Sequence, residues 1–336
     1  MNAVVFGDDG GVHVREVPRP QAGRGEVLIK VDYCGICGSD LHAAPPDFRT
    51  GVTMGHEFAG QIVDVGAGVT GWTVGDRACV NPNGDWCGTC AYCRAGEVNM
   101  CPRIWDTVVG LARNGGMAPF AAVAGKTLHR LPAGVSSLQG AWVEPLAVAI
   151  RTVRNSGIGL GDRAVVFGAG PIGLLVIQVL RSAGVGEITA VEPSALRAAL
   201  AARCGAHAIV NPRSEDVLER FADPVTAPRF AFECTGVAAV TETALRVLGP
   251  RGRLTVTGFA RENPFYQAQD LLFKELEIRG SFIYVDEFEI AIDLLDRGAI
   301  DVEPLVTDVR PFSSGPDAFE AMRRSDSAVK IMLSGA

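Results

Sequence analysis

The glycine-rich turn at residues 168–173 constrains the fold of this chain more than any other segment. It reads Gly168-Ala169-Gly170-Pro171-Ile172-Gly173, which satisfies the pattern G-x-G-x-x-G. An apolar run of strand type precedes the turn, an apolar run of helix type follows it, and Glu192 lies nineteen positions after Gly173. Strand, glycine turn, helix and acidic residue in this order are typical of a dinucleotide-binding unit.

Each part of this motif has a physical role in holding a dinucleotide. Gly168, Gly170 and Gly173 allow a tight turn and let the backbone approach a pyrophosphate, which binds at the helix N-terminus. Glu192 can accept hydrogen bonds from both ribose hydroxyls and would repel a 2′-phosphate, so NAD is favoured over NADP. We expect Arg197 to cover the adenine face. NADP stays the alternative, because Arg197 could instead pair with a phosphate.

The pattern on either side of residue 160 predicts two kinds of architecture. Beyond it, buried strands alternate with helices of ten or more residues, as in RAVVFGAG, PIGLLVIQVLRSAG and EITAVEP, which predicts a doubly wound parallel sheet. The first 145 residues instead read as short half-buried strands between glycines, as in EVLIKVDYCG, which predicts a β-rich, barrel-like domain. The fold class is therefore α/β, with the closing VKIML strand returning to the first domain.

Composition limits the partners and the compartment. A chain of 336 residues exceeds one comfortable core, so two domains are expected. The net charge of −7 offers no basic surface for nucleic acid. The longest apolar run, at residues 164–180, contains three glycines and a proline and is a poor membrane span. The start MNAVVFGDDG lacks the features of a secretory signal, so we expect a cytoplasmic protein.

A cysteine-rich loop lies within residues 84–103. Two, two and seven residues separate its four cysteines, which are Cys87, Cys90, Cys93 and Cys101. Such gaps let four sulfurs converge on one tetrahedral cation, and zinc is the usual occupant. Four thiolates leave no open coordination position, so this zinc would be structural. An iron–sulfur cluster or a pair of disulfides is the alternative, and a reducing cytoplasm disfavours the disulfides.

A second, incomplete ligand set is predicted near the N-terminus. Cys37 lies in CGICGSDLH, and His56 and Glu57 lie in MGHEFAG. One thiolate, one imidazole and one carboxylate leave zinc a free fourth position, which is the arrangement of a catalytic site. A zinc ion there would polarise an alcohol and lower the pKa of its hydroxyl group.

Four further polar residues are candidates for supporting roles at that site. Asp40 could orient the His56 ring. Ser39 and His42 form a polar pair, three positions apart, that could carry a proton to water. Glu144 interrupts the apolar stretch AWVEPLAVA, and a buried carboxylate is costly unless it has a partner such as a metal. The alternative for Glu144 is a helix that begins at Pro145, with the carboxylate at its N-terminus.

These segments together resemble the zinc-containing medium-chain dehydrogenase family. GICGSDLH, GHEFAGQIVDVGAGV, VGDRACVNP, the four-cysteine loop, WVEPLAVAI and VFGAGPIGLL occur in that family's order and cover nearly the whole chain. The resemblance implies a GroES-like catalytic domain at residues 1–145 and 286–336 and a Rossmann domain at residues 146–285. It also implies an active site in the cleft between them.

The resemblance further implies roles for individual residues. The catalytic zinc ligands would be Cys37, His56 and Glu57, with Ser39 and His42 as proton relay and Glu144 close to zinc. The glycine turn, Ile172, Glu192 and Arg197 would contact the cofactor. The nicotinamide side would be lined by Thr257, Gly258, Phe259, Ile283 and Tyr284.

The predicted activity is hydride transfer between a secondary alcohol and NAD. The EPL motif after Val143 resembles the polyol, sugar and threonine dehydrogenase branch, so the substrate would be a polyol, cyclitol, sugar or amino alcohol. L-Threonine 3-dehydrogenase activity is one alternative, and a non-catalytic NAD-binding redox sensor is another. Asp47 and Arg49 are interpreted as solvated loop charges. The resemblance also implies a homodimer or homotetramer, joined at a sheet edge near residues 276–284.

Overall fold

The computed structural model describes residues 1–42, 50–260, 262–324 and 327–335. The side chain of His42 and the residues Asp47 and Arg49 lie outside this description, so their predicted roles stay predictions. The chain forms two compact units. Unit 1 contains Met1–Glu144, Phe288–Gly298 and Val302–Ala336, and unit 2 contains Pro145–Glu287 and Ala299–Asp301.

The strands of both units are numbered in chain order. They are β1 Asn2–Phe6, β2 Val12–Glu16, β3 Glu26–Gly35, β4 Glu57–Val65, β5 Arg77–Val80, β6 Phe120–Ala124, β7 Leu128–Arg130, β8 Arg163–Phe167, β9 Glu187–Val191, β10 Ala208–Val210, β11 Phe230–Glu233, β12 Arg253–Val256, β13 Glu277–Gly280, β14 Val306–Pro311 and β15 Lys330–Ser334.

The α-helices are numbered in the same way. They are α1 Gly38–His42, α2 Ala91–Arg94, α3 Ile104–Thr107, α4 Ser137–Gly140, α5 Val143–Ser156, α6 Pro171–Ser182, α7 Ala195–Cys204, α8 Val217–Arg220, α9 Ala238–Arg246, α10 Ala268–Lys274, α11 Glu287–Asp296 and α12 Gly315–Met322. Short 3₁₀ turns lie at Val98–Met100, Gly125–Thr127, Glu303–Leu305 and Phe312–Ser314. None of the described helices is both long and apolar enough to cross a bilayer.

Unit 2 contains the predicted doubly wound sheet. Its six strands follow the order β10-β9-β8-β11-β12-β13, and every neighbouring pair is parallel. The order reverses between β8 and β11, and ligands of such sheets bind at the carboxyl ends of the strands beside that reversal. The strands are apolar because both faces are covered, as the RAVVF sequence of β8 illustrates: four of its five residues are buried.

Unit 1 contains a mainly antiparallel sheet of seven strands. Its order is β14-β15-β3-β4-β5-β7, and β6 also pairs with β3. β3 is the longest strand, at ten residues, and the predicted EVLIKVDYCG run coincides with it. Its inward-facing residues, such as Val27, Ile29 and Val31, are fully buried in the largest apolar cluster of the unit. β1 and β2 form a separate antiparallel hairpin.

Candidate active site

Strand register in unit 1 brings the predicted metal ligands together. β3 ends at Gly35 where β4 begins at Glu57, and these two residues are paired across the antiparallel ladder. Cys37 follows the end of β3 and His56 precedes β4, so the two side chains meet although nineteen positions separate them. One ligand atom each from Cys37, His56 and Glu57 lies within 4.8 Å of the others.

A buried lysine from the C-terminal strand contacts the same site. Lys330 forms an ion pair with the Glu57 carboxylate, and the two side chains are 1% and 2% exposed. A Cβ atom on Gly35 would collide with the Glu57 carboxylate and would come within 2.7 Å of the Lys330 Cε. Glycine is therefore required where β3 ends. The Lys330 ammonium also lies 5.3 Å from the centre of the buried Trp142 ring.

Asp40 lies where the sequence predicted an orienting carboxylate. Its Oδ2 accepts a hydrogen bond from the Cys37 amide at 3.1 Å, and its Oδ1 lies 3.5 Å from the His56 Nδ1. Both Oδ1 and Nδ1 are buried without a hydrogen-bond partner among the described residues. A carboxylate facing Nδ1 leaves Nε2 as the ring nitrogen that a metal could take.

Negative groups dominate the electrostatics of this site. Burial opposes protonation of His56, yet Asp40, Cys37 and Glu144 outweigh it and raise the pKa of His56 well above its usual value. Burial also raises the pKa of Asp40, although His56 opposes that shift. A buried region that favours extra positive charge this strongly, with sulfur, nitrogen and oxygen donors close together, fits a zinc ion.

The other predicted residues of this site lie around that cluster. Ser39 is exposed in α1, one residue from Asp40. Glu144 is 7% exposed and lies in the first turn of α5, which begins at Val143 rather than at Pro145. Its charge acts on both His56 and Lys330, but it is not among the three residues whose ligand atoms converge.

The four cysteines of the 84–103 loop form a second group whose sulfurs lie within 4.8 Å of one another. All four are free thiols, so disulfides are absent from this described segment. The Cys87 sulfur lies 3.9 Å from that of Cys93 and 3.6 Å from that of Cys101. Sulfurs about 2.3 Å from a central zinc would be about 3.8 Å apart at tetrahedral corners, so the cluster fits the predicted structural zinc.

Backbone amides support this cysteine group. The amides of Thr89 and Cys90 donate to the Cys87 sulfur at 3.5 and 3.3 Å, and the amide of Cys93 donates to the Cys90 sulfur at 3.4 Å. The hydrogen bonds from Thr89 and Cys90 lower the pKa of Cys87. A thiolate is the form that binds a metal, so these hydrogen bonds favour metal binding at Cys87, whereas burial and the neighbouring thiols raise the pKa of Cys93.

The glycine turn in unit 2 has the geometry that a dinucleotide requires. Gly168 follows β8 with φ at +87°, and Gly170 is the N-cap of α6. Pro171 occupies the first turn of α6, where a missing N–H is tolerated. A Cβ atom on Gly173 would collide with the Gly168 carbonyl oxygen, so helix and strand approach closely only with glycine there. Ile172 follows Pro171 and is half-buried.

Glu192 lies directly after β9 and faces this turn. Its carboxylate accepts hydrogen bonds from the amide of Ala169 at 2.7 Å and from the amide of Ser194 at 2.8 Å. Each oxygen keeps a second lone pair, which is the acceptor that a ribose hydroxyl needs. Arg197 lies in the first turn of α7, and its guanidinium approaches the Cβ position of Gly170 to 3.9 Å.

The residues predicted for the nicotinamide side occupy two loops of unit 2. The amides of Thr257 and Gly258, just after β12, both donate at 3.0 Å to the main-chain carbonyl of Glu233, the last residue of β11. Phe259 is 72% exposed, whereas Tyr284 is 2% exposed. Ile283 has φ at +40°, an uncommon conformation for a β-branched residue. A strained backbone beside a ligand site is a frequent feature of functional loops.

Sequence reasoning missed three buried charged residues. Lys330 interrupts the apolar VKIML run, and Glu233 ends the apolar FAFE run; both are at most 1% exposed. Glu287, which pairs with Arg154, is a third such residue at 0% exposed. For Lys330 and Glu233, a charge inside an apolar strand was the available signal, because a buried charge requires a partner. Trp142, two positions before Glu144, was likewise not assigned a role, although its ring centre lies 5.3 Å from the Lys330 ammonium.

A dinucleotide-type sheet in unit 2, together with a part-buried cysteine that converges with a buried histidine and glutamate in unit 1, is the combination expected of a zinc-dependent dehydrogenase. The chain belongs to the zinc-binding alcohol dehydrogenase family: residues 23–133 match the alcohol dehydrogenase GroES-like domain, and residues 171–297 match the zinc-binding dehydrogenase domain. The predicted family, the α/β fold class and the assignment as an alcohol-oxidising zinc enzyme with a nicotinamide cofactor are thereby confirmed.

Relatives match the chain over almost its whole length. It is 37% identical to the 2-dehydro-3-deoxy-L-galactonate 5-dehydrogenase of Pseudoalteromonas atlantica, covering 94% of this chain and 92% of that one. It is 32% identical to the sorbitol dehydrogenase of Halalkalibacterium halodurans, covering 99% of each. The crystal structure of a zinc-binding dehydrogenase from Sinorhizobium meliloti bound to NADP is 32% identical, with a TM-score of 0.90 over 99% and 98% of the two chains.

Proposed function

We propose that this protein oxidises a secondary alcohol of a small polar molecule with NAD, the substrate being a polyol, cyclitol, sugar or amino alcohol. The convergence of Cys37, His56 and Glu57 in a buried, negatively charged site is the observation that carries the proposal. The similarity to enzymes named for a sugar acid and for sorbitol supports the substrate class.

Residues of unit 1 would bind the zinc ion and transfer the hydroxyl proton. Cys37, His56 and Glu57 would hold zinc, which supplies a Lewis acid that lowers the pKa of an alcohol. Asp40 would keep the His56 ring oriented, because it already faces Nδ1. Ser39 is exposed beside this buried cluster, so it is suited to pass the hydroxyl proton outward, with His42 as the next group.

Two further roles concern the substrate and the cofactor. Glu144 would add negative charge close to zinc, because its field reaches His56. The glycine turn would bind the pyrophosphate, Glu192 the adenosine ribose and Arg197 the adenine, with Ile172 packed beneath. The nicotinamide would be received by the loops at Thr257–Phe259 and at residues 283–284. The catalytic domain would consist of residues 1–145 and 286–336, and the cofactor domain of residues 146–285.

The function is tested by an NAD-reduction screen on the purified protein with its metal content measured on the same sample. Polyols, cyclitols, aldoses, sugar acids and amino alcohols are supplied at saturating zinc, and L-threonine is included as the alternative substrate. We expect turnover with at least one polyhydroxylated secondary alcohol and two zinc ions per chain. Zinc-loaded protein that oxidises none of these alcohols would refute the assignment and would leave a redox sensor as the alternative.

Glu192→Ala should weaken binding of NAD more than binding of NADP. The variant lacks the carboxylate, so it would lose the hydrogen bonds to the ribose hydroxyls and the repulsion of a 2′-phosphate. A hydrogen bond to a charged group contributes about 1.5–3 kcal/mol, so the KM for NAD should rise roughly 10- to 100-fold. Glu192 also accepts a hydrogen bond from the Ala169 amide, and losing that bond should affect both cofactors equally. The ratio of the KM for NAD to the KM for NADP therefore isolates the ribose contact. Equal losses for both cofactors would exclude the ribose contact.

We also propose that the protein works in the reducing cytoplasm and assembles with copies of itself. Nine free cysteines suit a reducing compartment. The edge strand β13 is exposed along its whole length, and Ile278 within it and Phe282 just after it are 42% and 37% exposed. An exposed edge strand with apolar side chains is a site where a second copy can extend the sheet. A homodimer joined through β13 is therefore expected, and two dimers could form a tetramer.

Ile278→Pro should convert the assembly to a monomer. The amide of Glu277 donates to the Gly252 carbonyl just before β12, and the amide of Ser281 donates to Val256 in β12. Because inward-facing amides alternate along a parallel strand, the Ile278 amide points to the free edge. Proline removes this outward donor without removing a bond to β12. Light scattering should give a dimer or tetramer for wild type and for Ile278→Val, which keeps the amide. A proline variant that keeps the wild-type mass would place the interface elsewhere.

A further inference from the structure

Glu233 occupies a special position in unit 2. It is the last residue of β11, 0% exposed, at the strand that lies next to β8 where the order of the sheet reverses. Ligands of open α/β sheets bind beside this reversal, outside the carboxyl ends of the strands. Glu233 therefore lies at the strand ends where a dinucleotide is expected to bind, yet sequence reasoning gave it no role.

The carboxylate of Glu233 fixes the loop that follows β11. Its Oε1 accepts hydrogen bonds from the amide of Thr235 at 2.7 Å and from the amide of Gly236 at 3.0 Å. The Thr235 hydroxyl donates to the same oxygen. Gly236 has φ at +69°, so the turn closes around the carboxylate with the residue that tolerates this conformation.

The same residue also holds the loop that follows β12. Its main-chain carbonyl accepts the amides of Thr257 and Gly258, both at 3.0 Å. A Cβ atom on Gly258 would collide with the second carboxylate oxygen, Oε2, and with the Gly236 amide. Both loops are thus packed against one buried carboxylate, and the loop after β12 contains Thr257 and Gly258, which are proposed to receive the nicotinamide.

This assembly contacts the glycine turn as well. The methyl group of Thr235 lies 2.6 Å from the position that a Cβ atom on Gly168 would occupy. The Oε2 atom of Glu233 is buried without a hydrogen-bond partner among the described residues. Leaving a carboxylate oxygen buried and unpartnered costs free energy, so a purely structural role would be better served by a neutral side chain.

We propose that Glu233 is a positioning residue for the nicotinamide half of the cofactor. Its negative charge strengthens three hydrogen bonds at Oε1 and so fixes the backbone of residues 235–236, while its carbonyl fixes residues 257–258. The ribose of the AMP half would be held by Glu192, whose carboxylate bonds the amides of Ala169 and Ser194 rather than any group of Glu233. This inference rests on the proposed binding of a nicotinamide dinucleotide and extends it to one residue that holds the loop after β12, where Thr257 and Gly258 are proposed to receive the nicotinamide.

The test compares binding of NADH and of AMP to the purified protein by calorimetry. Glu233→Gln keeps the shape but removes the charge. We expect the Kd for NADH to rise about tenfold and the Kd for AMP to stay within about twofold. Thr255→Val is the matched control, because Thr255 is a 0% exposed residue of the neighbouring β12 and holds neither loop. It should change neither constant.

Three outcomes would overturn the inference about Glu233, and a fourth would instead refute the proposed function. Equal loss of NADH and AMP would make Glu233 a structural residue, and no loss of either would make it dispensable. Should Glu233→Gln fail to fold, Thr235→Val removes one hydroxyl donor from an exposed residue and should weaken NADH alone about threefold. No effect of Thr235→Val would then refute the role. Wild-type protein that binds neither NADH nor AMP would instead refute the proposed function.

Discussion

Cys37→Ser should lower kcat/KM for the alcohol substrate by at least about a thousandfold, which corresponds to about 4 kcal/mol of transition-state stabilisation. Serine replaces the sulfur of the predicted three-ligand set with a hydroxyl, which is a poor ligand for zinc. Cys37 is only part-buried at the end of β3, so we expect the melting temperature to change by a few degrees at most. NADH binding should be unchanged, because that site belongs to unit 2.

The matched control for this variant is Cys79→Ala. Cys79 lies in β5 of the same sheet, is 1% exposed, and belongs to neither cysteine group. Burial raises the pKa of its thiol, so it stays neutral and does not compete for metal. This variant should lose some stability through its small cavity but keep both zinc ions and full turnover. Activity retained in Cys37→Ser, or lost in Cys79→Ala with the fold intact, would contradict the ligand assignment.

Lys330→Met should destabilise the protein by roughly 3–5 kcal/mol. The change leaves the Glu57 carboxylate buried without the ammonium that faces it and removes the cation from the Trp142 ring. Removing one partner of a buried pair costs more than the pair contributes, because the other charge remains desolvated. The free energy of unfolding is measured in denaturant on metal-free protein, so that zinc cannot take the place of the lysine.

Two further variants make this result interpretable. Adding Glu57→Gln to Lys330→Met removes the orphaned charge and should restore part of the lost stability. Lys126→Met removes a lysine that pairs with Asp85 at 2.6 Å but is 57% exposed, so it should cost less than about 1 kcal/mol. If Lys330→Met and Lys126→Met lowered the free energy of unfolding by similar amounts, the ion pair of Lys330 with Glu57 would not be buried away from water.

Local patterns predicted those parts of the protein that depend on neighbouring residues. The EVLIKVDYCG run alternates apolar and polar residues over a whole strand, and β3 spans the same ten residues. The four-cysteine loop and the glycine turn carry their spacing within a few residues, so their geometry could be anticipated. The local pattern did not identify β13, because a four-residue edge strand that is exposed throughout has no buried face. Only the family resemblance implied a sheet edge near residues 276–284.

Long-range contacts could not be derived in the same way. Lys330 and Glu57 are 273 positions apart, and they meet because β15 pairs with β3 while β3 pairs with β4. That register depends on the packing of the complete sheet and has no signature in either segment alone. The same holds for Glu233, whose carbonyl reaches the loop after β12 only because β11 and β12 are neighbours.

Anomalous scattering at the zinc absorption edge, measured on crystals of the protein grown with zinc, tests the central claim most directly. Two peaks per chain are predicted, one among the sulfurs of the four-cysteine loop and one within bonding distance of the Cys37 sulfur and a His56 ring nitrogen. A single peak in the loop, or a second peak remote from Cys37 and His56, would show that no metal is held where the alcohol is proposed to react.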